Sequence, residues 1–81
     1  MILVDINVYA LNRTFDFTLD ENCPISAVIE EIAEILSRQE NNKEIDTTEG
    51  LMLMTNTGNI LPLNYSLDMC NIHTGSSLIL I

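Results

Sequence analysis

The chain has 81 residues, 47% of them hydrophobic, and its twelve acidic side chains against three basic ones give a formal charge of −9. That length makes one domain, residues 1–81, with a single core that buries roughly 60–65% of the unfolded surface, and so apolar a composition excludes a disordered chain. The acidic balance opposes phosphate backbones and anionic headgroups, so nucleic acid and direct membrane insertion are disfavoured, and a basic protein surface is the sharper alternative to a plain solubility charge.

At the start of the chain, Met1-Ile2-Leu3-Val4 meets Asp5 with no basic stretch ahead of it, so no signal peptide is expected. Residues 2–8 then alternate, with Val4, Ile6 and Val8 as one set and Leu3, Asp5 and Asn7 as the other, which predicts a half-buried strand. Tyr9-Ala10-Leu11-Asn12-Arg13 reads as a hairpin connection, with Asn12 suited to the turn. Phe15, Phe17 and Leu19 alternate with Asp16, Thr18 and Asp20 in the next strand.

From Cys23-Pro24-Ile25 through Arg38 the period changes. Ile25, Val28, Ile29, Ile32, Ile35 and Leu36, widened by Ala33, form an apolar stripe at 3.6-residue spacing, and this is the one helix expected. Pro24 suits its first turn, Glu30, Glu31 and Arg38 follow the order the helix dipole prefers, and Glu34 and Arg38 are spaced as an exposed pair. Cys23 is a poor N-cap, so Asn22 or a local adjustment has to satisfy the first N–H groups.

A polar connector spans residues 39–50, interrupted only by Ile45. Leu51-Met52-Leu53-Met54 is the next strand, Asn56-Thr57-Gly58-Asn59 a turn, and Ile60-Leu61 a short strand stopped at Pro62. Leu67 and Ile72 bracket a short helical turn, and Gly75-Ser76 leads into a closing strand, Ser77-Leu78-Ile79-Leu80-Ile81. Being apolar throughout, that strand is expected at the centre of the sheet, parallel to the first, with the helix and loops as the crossover. The fold class is α+β, a β-grasp with a mixed sheet of four to five strands and one helix across one face. Its expected core is Val4, Ile6, Phe15, Phe17, Leu19, Ile25, Val28, Ile32, Leu67, Ile72, Leu78 and Leu80.

The segments Phe15-Asp16-Phe17-Thr18-Leu19, Pro24-Ile25-x-x-Val28-Ile29, Leu51-Met52-Leu53-Met54-Thr55 and Leu67-x-x-Cys70-x-Ile72-x-x-Gly75-x-x-Leu78-x-Leu80 cover nearly the whole chain in order. On these the chain resembles the ubiquitin fold, and more narrowly the small ubiquitin-like proteins of type VII secretion loci, the YukD/EsaB family. The resemblance implies a cytoplasmic accessory or regulatory factor of a Gram-positive type VII secretion system that binds a component of the machinery. Ubiquitin is joined to lysine through a terminal diglycine. No Gly-Gly pair occurs here, so conjugation is not expected, and a sulfur-carrier or modifier role is disfavoured for the same reason.

Catalytic apparatus is not legible. Cys70-x-x-His73 is half of a zinc spacing with no second pair, His73 is the only histidine, and Gly50, Gly58 and Gly75 are isolated rather than gathered in a phosphate-binding loop. Cys23 and Cys70 read as two buried thiols in a reducing compartment. No enzyme activity, cofactor or metal is expected. If Leu51 and Leu53 point inward, as the resemblance implies, Met52 and Met54 point outward, and in the closing strand Ile79 and Ile81 do the same. Leu3 joins them from the first strand. These five positions are the candidate protein-binding surface, occupied by a partner or by a second copy in a homodimer, with coverage by the 39–50 loop as the alternative.

Overall fold

The computed structural model describes residues 1–39 and 51–81. Alternation at the start of the chain becomes strand β1 (Ile2–Val8), with Ile2, Val4, Ile6 and Val8 buried. A 3-10 turn, Tyr9–Leu11, follows, and Asn12 closes it in the left-handed region at φ 51° with its N–H on the Tyr9 carbonyl. Asparagine tolerates that conformation better than most side chains, as expected at this position. Strand β2 (Arg13–Leu19) returns antiparallel to β1, in register from Ile2 opposite Leu19 to Val8 opposite Arg13.

Helix α1 (Ile25–Gln39) carries the predicted stripe. Ile25, Val28, Ile29, Ile32, Ala33 and Leu36 are buried, and Ile35 is half-buried at the stripe's margin. Strand β4 (Ser77–Leu80) runs parallel to β1, with Ile6 beside Leu78 and Val8 beside Leu80. Strand β3 (Leu53–Thr55) pairs antiparallel with the other side of β4. The order β2-β1-β4-β3 places the two terminal strands at the centre, with the helix across one face, and this is the ubiquitin-like β-grasp. Among the described residues the sheet has four strands. Ile60 makes only an isolated bridge to Met54 where a short fifth strand was expected, because Pro62 stops the pairing two residues later. The pairing of β3 and β4 does extend one step past their ends, through reciprocal bonds between Met52 and Ile81 of 2.7 and 2.9 Å.

Buried residues of helix and strands form one core, closed by Leu53, Leu61, Leu67 and Ile72. Phe15 departs from expectation in being only partly buried. It lies near the hairpin end, where its ring is stacked under the Arg13 guanidinium at 4.9 Å and tilted against Phe17. The connector expected at 39–50 lies, apart from the backbone of Gln39, outside the described residues.

The start of the helix is satisfied from a distance. Ile25 N–H donates to the Tyr65 carbonyl at 2.7 Å and Ser26 N–H to that of Leu63 at 3.0 Å, while Ala27 and Val28 donate to Pro24. Pro24 is therefore the residue before the helix and not part of its first turn, and Asn22 makes no cap. Carbonyls from residues 63 and 65 do the work that a capping side chain usually does. Because a buried stripe residue should be costly to truncate and an exposed one should not, Ile32→Ala is expected to lower stability by about 2–5 kcal/mol and Glu34→Ala by less than about 0.5. Urea denaturation followed by circular dichroism measures both. Equal midpoints for Ile32→Ala and the parent would contradict the placement of α1.

Candidate protein-binding face

Every inward position of the sheet is matched by an outward one on the face without the helix. On β1 these are Leu3, Asp5 and Asn7, and on β2 Thr14, Asp16 and Thr18. On β4 they are Ser77 and Ile79, followed by Ile81, and on β3 Met54, preceded by Met52. The register then decides which of them meet. Met54 stands opposite Ile79 and Met52 opposite Ile81. Bonds from Thr55 N–H to the Asn59 carbonyl and from Leu61 N–H to the Leu53 carbonyl flank the Met54–Ile60 bridge, so Ile60 is directly opposite Met54 and on the same face. Ile60 is 55% exposed and Met52 39%, while Met54, Ile79 and Ile81 are half-buried.

Met52, Met54, Ile60, Ile79 and Ile81 thus make one contiguous apolar set across two strands and the segment beside them. A grouped set of this kind is what distinguishes a contact surface from scattered exposed hydrophobes. Four of its five members are those expected from alternation. Leu3 is half exposed but stands apart: it pairs with Thr18, its carbonyl accepts the Gly75 N–H, and the row of Asp5 and Ser77 lies between it and the row of Asn7 and Ile79. Four residues of strand put it about 13 Å away. Ile60 is the residue that sequence reasoning missed, although alternation from buried Leu61 would have turned it outward.

Polar neighbours complete the face. Asn7 Nδ2 donates to Thr14 Oγ1 at 3.2 Å. Asp5 and Asp16 oppose each other directly. Asp5 turns its N–H toward the Ser76 carbonyl, so on the β2 side it forms a non-hydrogen-bonded pair, the kind whose side chains come closest. Like charges in that position destabilise the pairing.

Residues with chemical potential elsewhere are engaged in turns. His73 is exposed, with its N–H on Ser76 Oγ and its ring Nδ1 3.2 Å from the Thr74 carbonyl. Cys70 is half-buried in the 67–72 turn beside an open polar depression of about 370 Å3 that Thr55, Asn71 and Ser76 also line. Cys23 is likewise half-buried, where full burial was expected for both thiols, and its Sγ lies 3.4 Å from Asp20 Oδ2. Both thiols are free, and both are pushed up from their ordinary range, Cys23 by the bond to Asp20 and Cys70 by burial, which disfavours the thiolate that nucleophilic chemistry needs. Among the described residues, no three His, Cys, Asp or Glu side chains converge to hold a metal.

The family model described as "WXG100 protein secretion system (Wss), protein YukD" matches residues 3–80. Solved structures similar to the chain include the ubiquitin-like domain of EccD5 from Mycobacterium xenopi, at 22% identity and TM-score 0.78, covering 99% of this chain and 91% of that one. The ubiquitin-like domain of the type VII secretion protein ECCD1 from Mycobacterium tuberculosis matches at 21% identity and TM-score 0.70, covering 100% and 99%. A chain of the MycP5-free ESX-5 inner membrane complex matches at 18% identity and TM-score 0.78, covering 99% of this chain and 20% of that one. At these identities the likeness shows the fold. No curated protein matches the chain.

Asp20 makes the stability of the fold depend on pH. The Asn22 backbone N–H, and after it the Cys23 thiol, hold its carboxyl below the ordinary 3.8. A carboxyl depressed in the folded state contributes stability that is fully present above its unfolded value and is lost as the pH falls through the lower folded one. Stability measured by urea denaturation from pH 6 down to pH 2 should therefore fall more steeply below about pH 4 in the parent than in Asp20→Asn. Parallel acid limbs would contradict this.

Proposed function

This chain belongs to the YukD family of the WXG100 protein secretion system, and from that premise we propose that it is a non-conjugated, ubiquitin-like protein-binding module. It acts in the cytoplasm as an accessory or regulatory factor of a Gram-positive, ESX-like type VII secretion system. Its partner is a component of the machinery, a reading supported by the similar folds found in EccD proteins and in an ESX-5 inner membrane complex. Among the described residues no helix is long and apolar enough to cross a membrane.

The observation that carries this reading is the apolar set on the open face, Met52, Met54, Ile60, Ile79 and Ile81. Burying such a group against a partner removes apolar area from water, and flexible methionine side chains adapt to the shape they meet. The function is binding, with no chemical step assigned to any residue.

Met52→Glu with Ile79→Glu tests it. The two positions lie on adjacent strands one row apart, so the new charges do not oppose each other directly and the fold should survive. Circular dichroism should be unchanged, while capture of the secretion component falls at least about tenfold and secretion drops toward the level of a strain lacking the protein. A folded variant that still supports full binding and secretion would overturn the assignment. A solution mass that depends on concentration in the parent and not in the variant would instead make a second copy the occupant.

A further inference from the structure

The open face is divided in its chemistry. Its β3 and β4 half is apolar apart from Ser77, and on its β1 and β2 half the charged positions are Asp5 and Asp16, side by side at the shortest separation a strand pair allows. No basic side chain occupies an outward strand position. Arg13 shares the parity of buried Val8 and stacks on Phe15, and Arg38 pairs with Glu34 on the helix at 3.5 Å. Among the described residues the fold therefore sets two like-charged carboxylates beside the apolar set with no lysine or arginine at an outward strand position, in a chain whose formal charge is already −9.

Building on the reading of this face as a contact surface, we propose that its occupant is a basic amphipathic helix, whose apolar stripe covers Ile79, Met54 and Ile81 and whose lysine or arginine reaches Asp5 and Asp16. Asp5 is one strand and one row from Ile79, since Asn7 is the β1 neighbour of Ile79. Strand spacing and rise make that diagonal about 8 Å. A helix with its side chains is about 10–12 Å across, and positions three or four apart lie about 5–6 Å from each other. One helix thus sets an apolar residue over Ile79 and delivers a cation to the acidic pair from the next turn. The cation removes the repulsion between the aspartates as it binds. A neutral or acidic helix leaves that repulsion in place or adds to it, so the pair selects partners by charge while the apolar set supplies the contact area.

The probes are three 18-residue helical peptides with the same leucine stripe and a polar face of lysine, glutamine or glutamate, titrated into the full 15N-labelled chain at low salt. The lysine peptide should shift the amides of residues 5, 16, 54 and 79 and bind about tenfold more tightly than its glutamine twin. Asp5→Asn with Asp16→Asn should abolish that preference. Glu30→Gln with Glu34→Gln, the same charge change on the exposed side of α1, should keep it. Removing the repulsion leaves the first variant at least as stable as the parent, and its dispersed amide spectrum confirms the fold. If the glutamine peptide binds this face as tightly as the lysine one, or if the helix variant loses the preference equally, the charge selection is wrong although the face remains a contact surface. If no peptide shifts residues 54 and 79, the contact surface itself is refuted and the inference falls with it.

Discussion

The parallel pairing of β1 with β4 sets the position of every other element. Once Ile6 lies beside Leu78 and Val8 beside Leu80, the hairpin fixes β2 on one side and antiparallel pairing fixes β3 on the other. Parallel neighbours need a long crossover, and α1 is laid across one face by that crossover. Its stripe then dries the inward positions: Ile6, Leu53, Leu78 and Leu80 are each no more than 1% exposed. There is one α-helix among the described residues, so the other face is left to whatever side chains alternation places there. On β1 and β2 these are mostly polar. On β3 and β4 they are, Ser77 apart, methionine and isoleucine, which a sheet face meant only for solvent would not carry.

A single segment links the open face to the helix. From Ile60, opposite Met54, the chain passes through Leu61, bonded to Leu53, and reaches Leu63 and Tyr65, whose carbonyls cap the first N–H groups of α1. The Pro24–Ser66 bridge and the bond from Asp68 N–H to the Glu21 carbonyl continue this tie. One end of the apolar set is therefore anchored to the helix start by hydrogen bonds as well as to the sheet. A surface held in this way presents its side chains already positioned, which lowers the ordering cost of binding.

The helix and the first two strands were legible in the sequence because each rests on a local period: 3.6 for the stripe from Ile25 to Leu36, two for Val4-Ile6-Val8 and Phe15-Phe17-Leu19. The central parallel pair was legible because the closing strand is an apolar run and the helix and loops supply a crossover. What stayed hidden depends on register and on contacts between distant residues. Leu3 has the right parity for the apolar set, but only the alignment of β1 with β4 shows that it lies two rows from Ile79. The opposition of Asp5 and Asp16 depends on where the hairpin turns, which Asn12 settles. The helix cap could not be read near Cys23 because the acceptors are backbone carbonyls some forty residues away. Phe15 alternates like a core residue and is nonetheless half-exposed, since it lies toward the hairpin end with Arg13 over its ring. The family resemblance supplied the secretion context, which no local pattern encodes.

The claim that the open face is the working surface is tested most directly by site-specific photo-crosslinking in a cell carrying the secretion system. A photoreactive residue is placed in turn at Met54, at Ile79 and, on the exposed side of α1, at Glu34. Adducts with a secretion-machinery component are expected from positions 54 and 79 and none from position 34. Adducts from position 34 with none from 54 or 79 would contradict it.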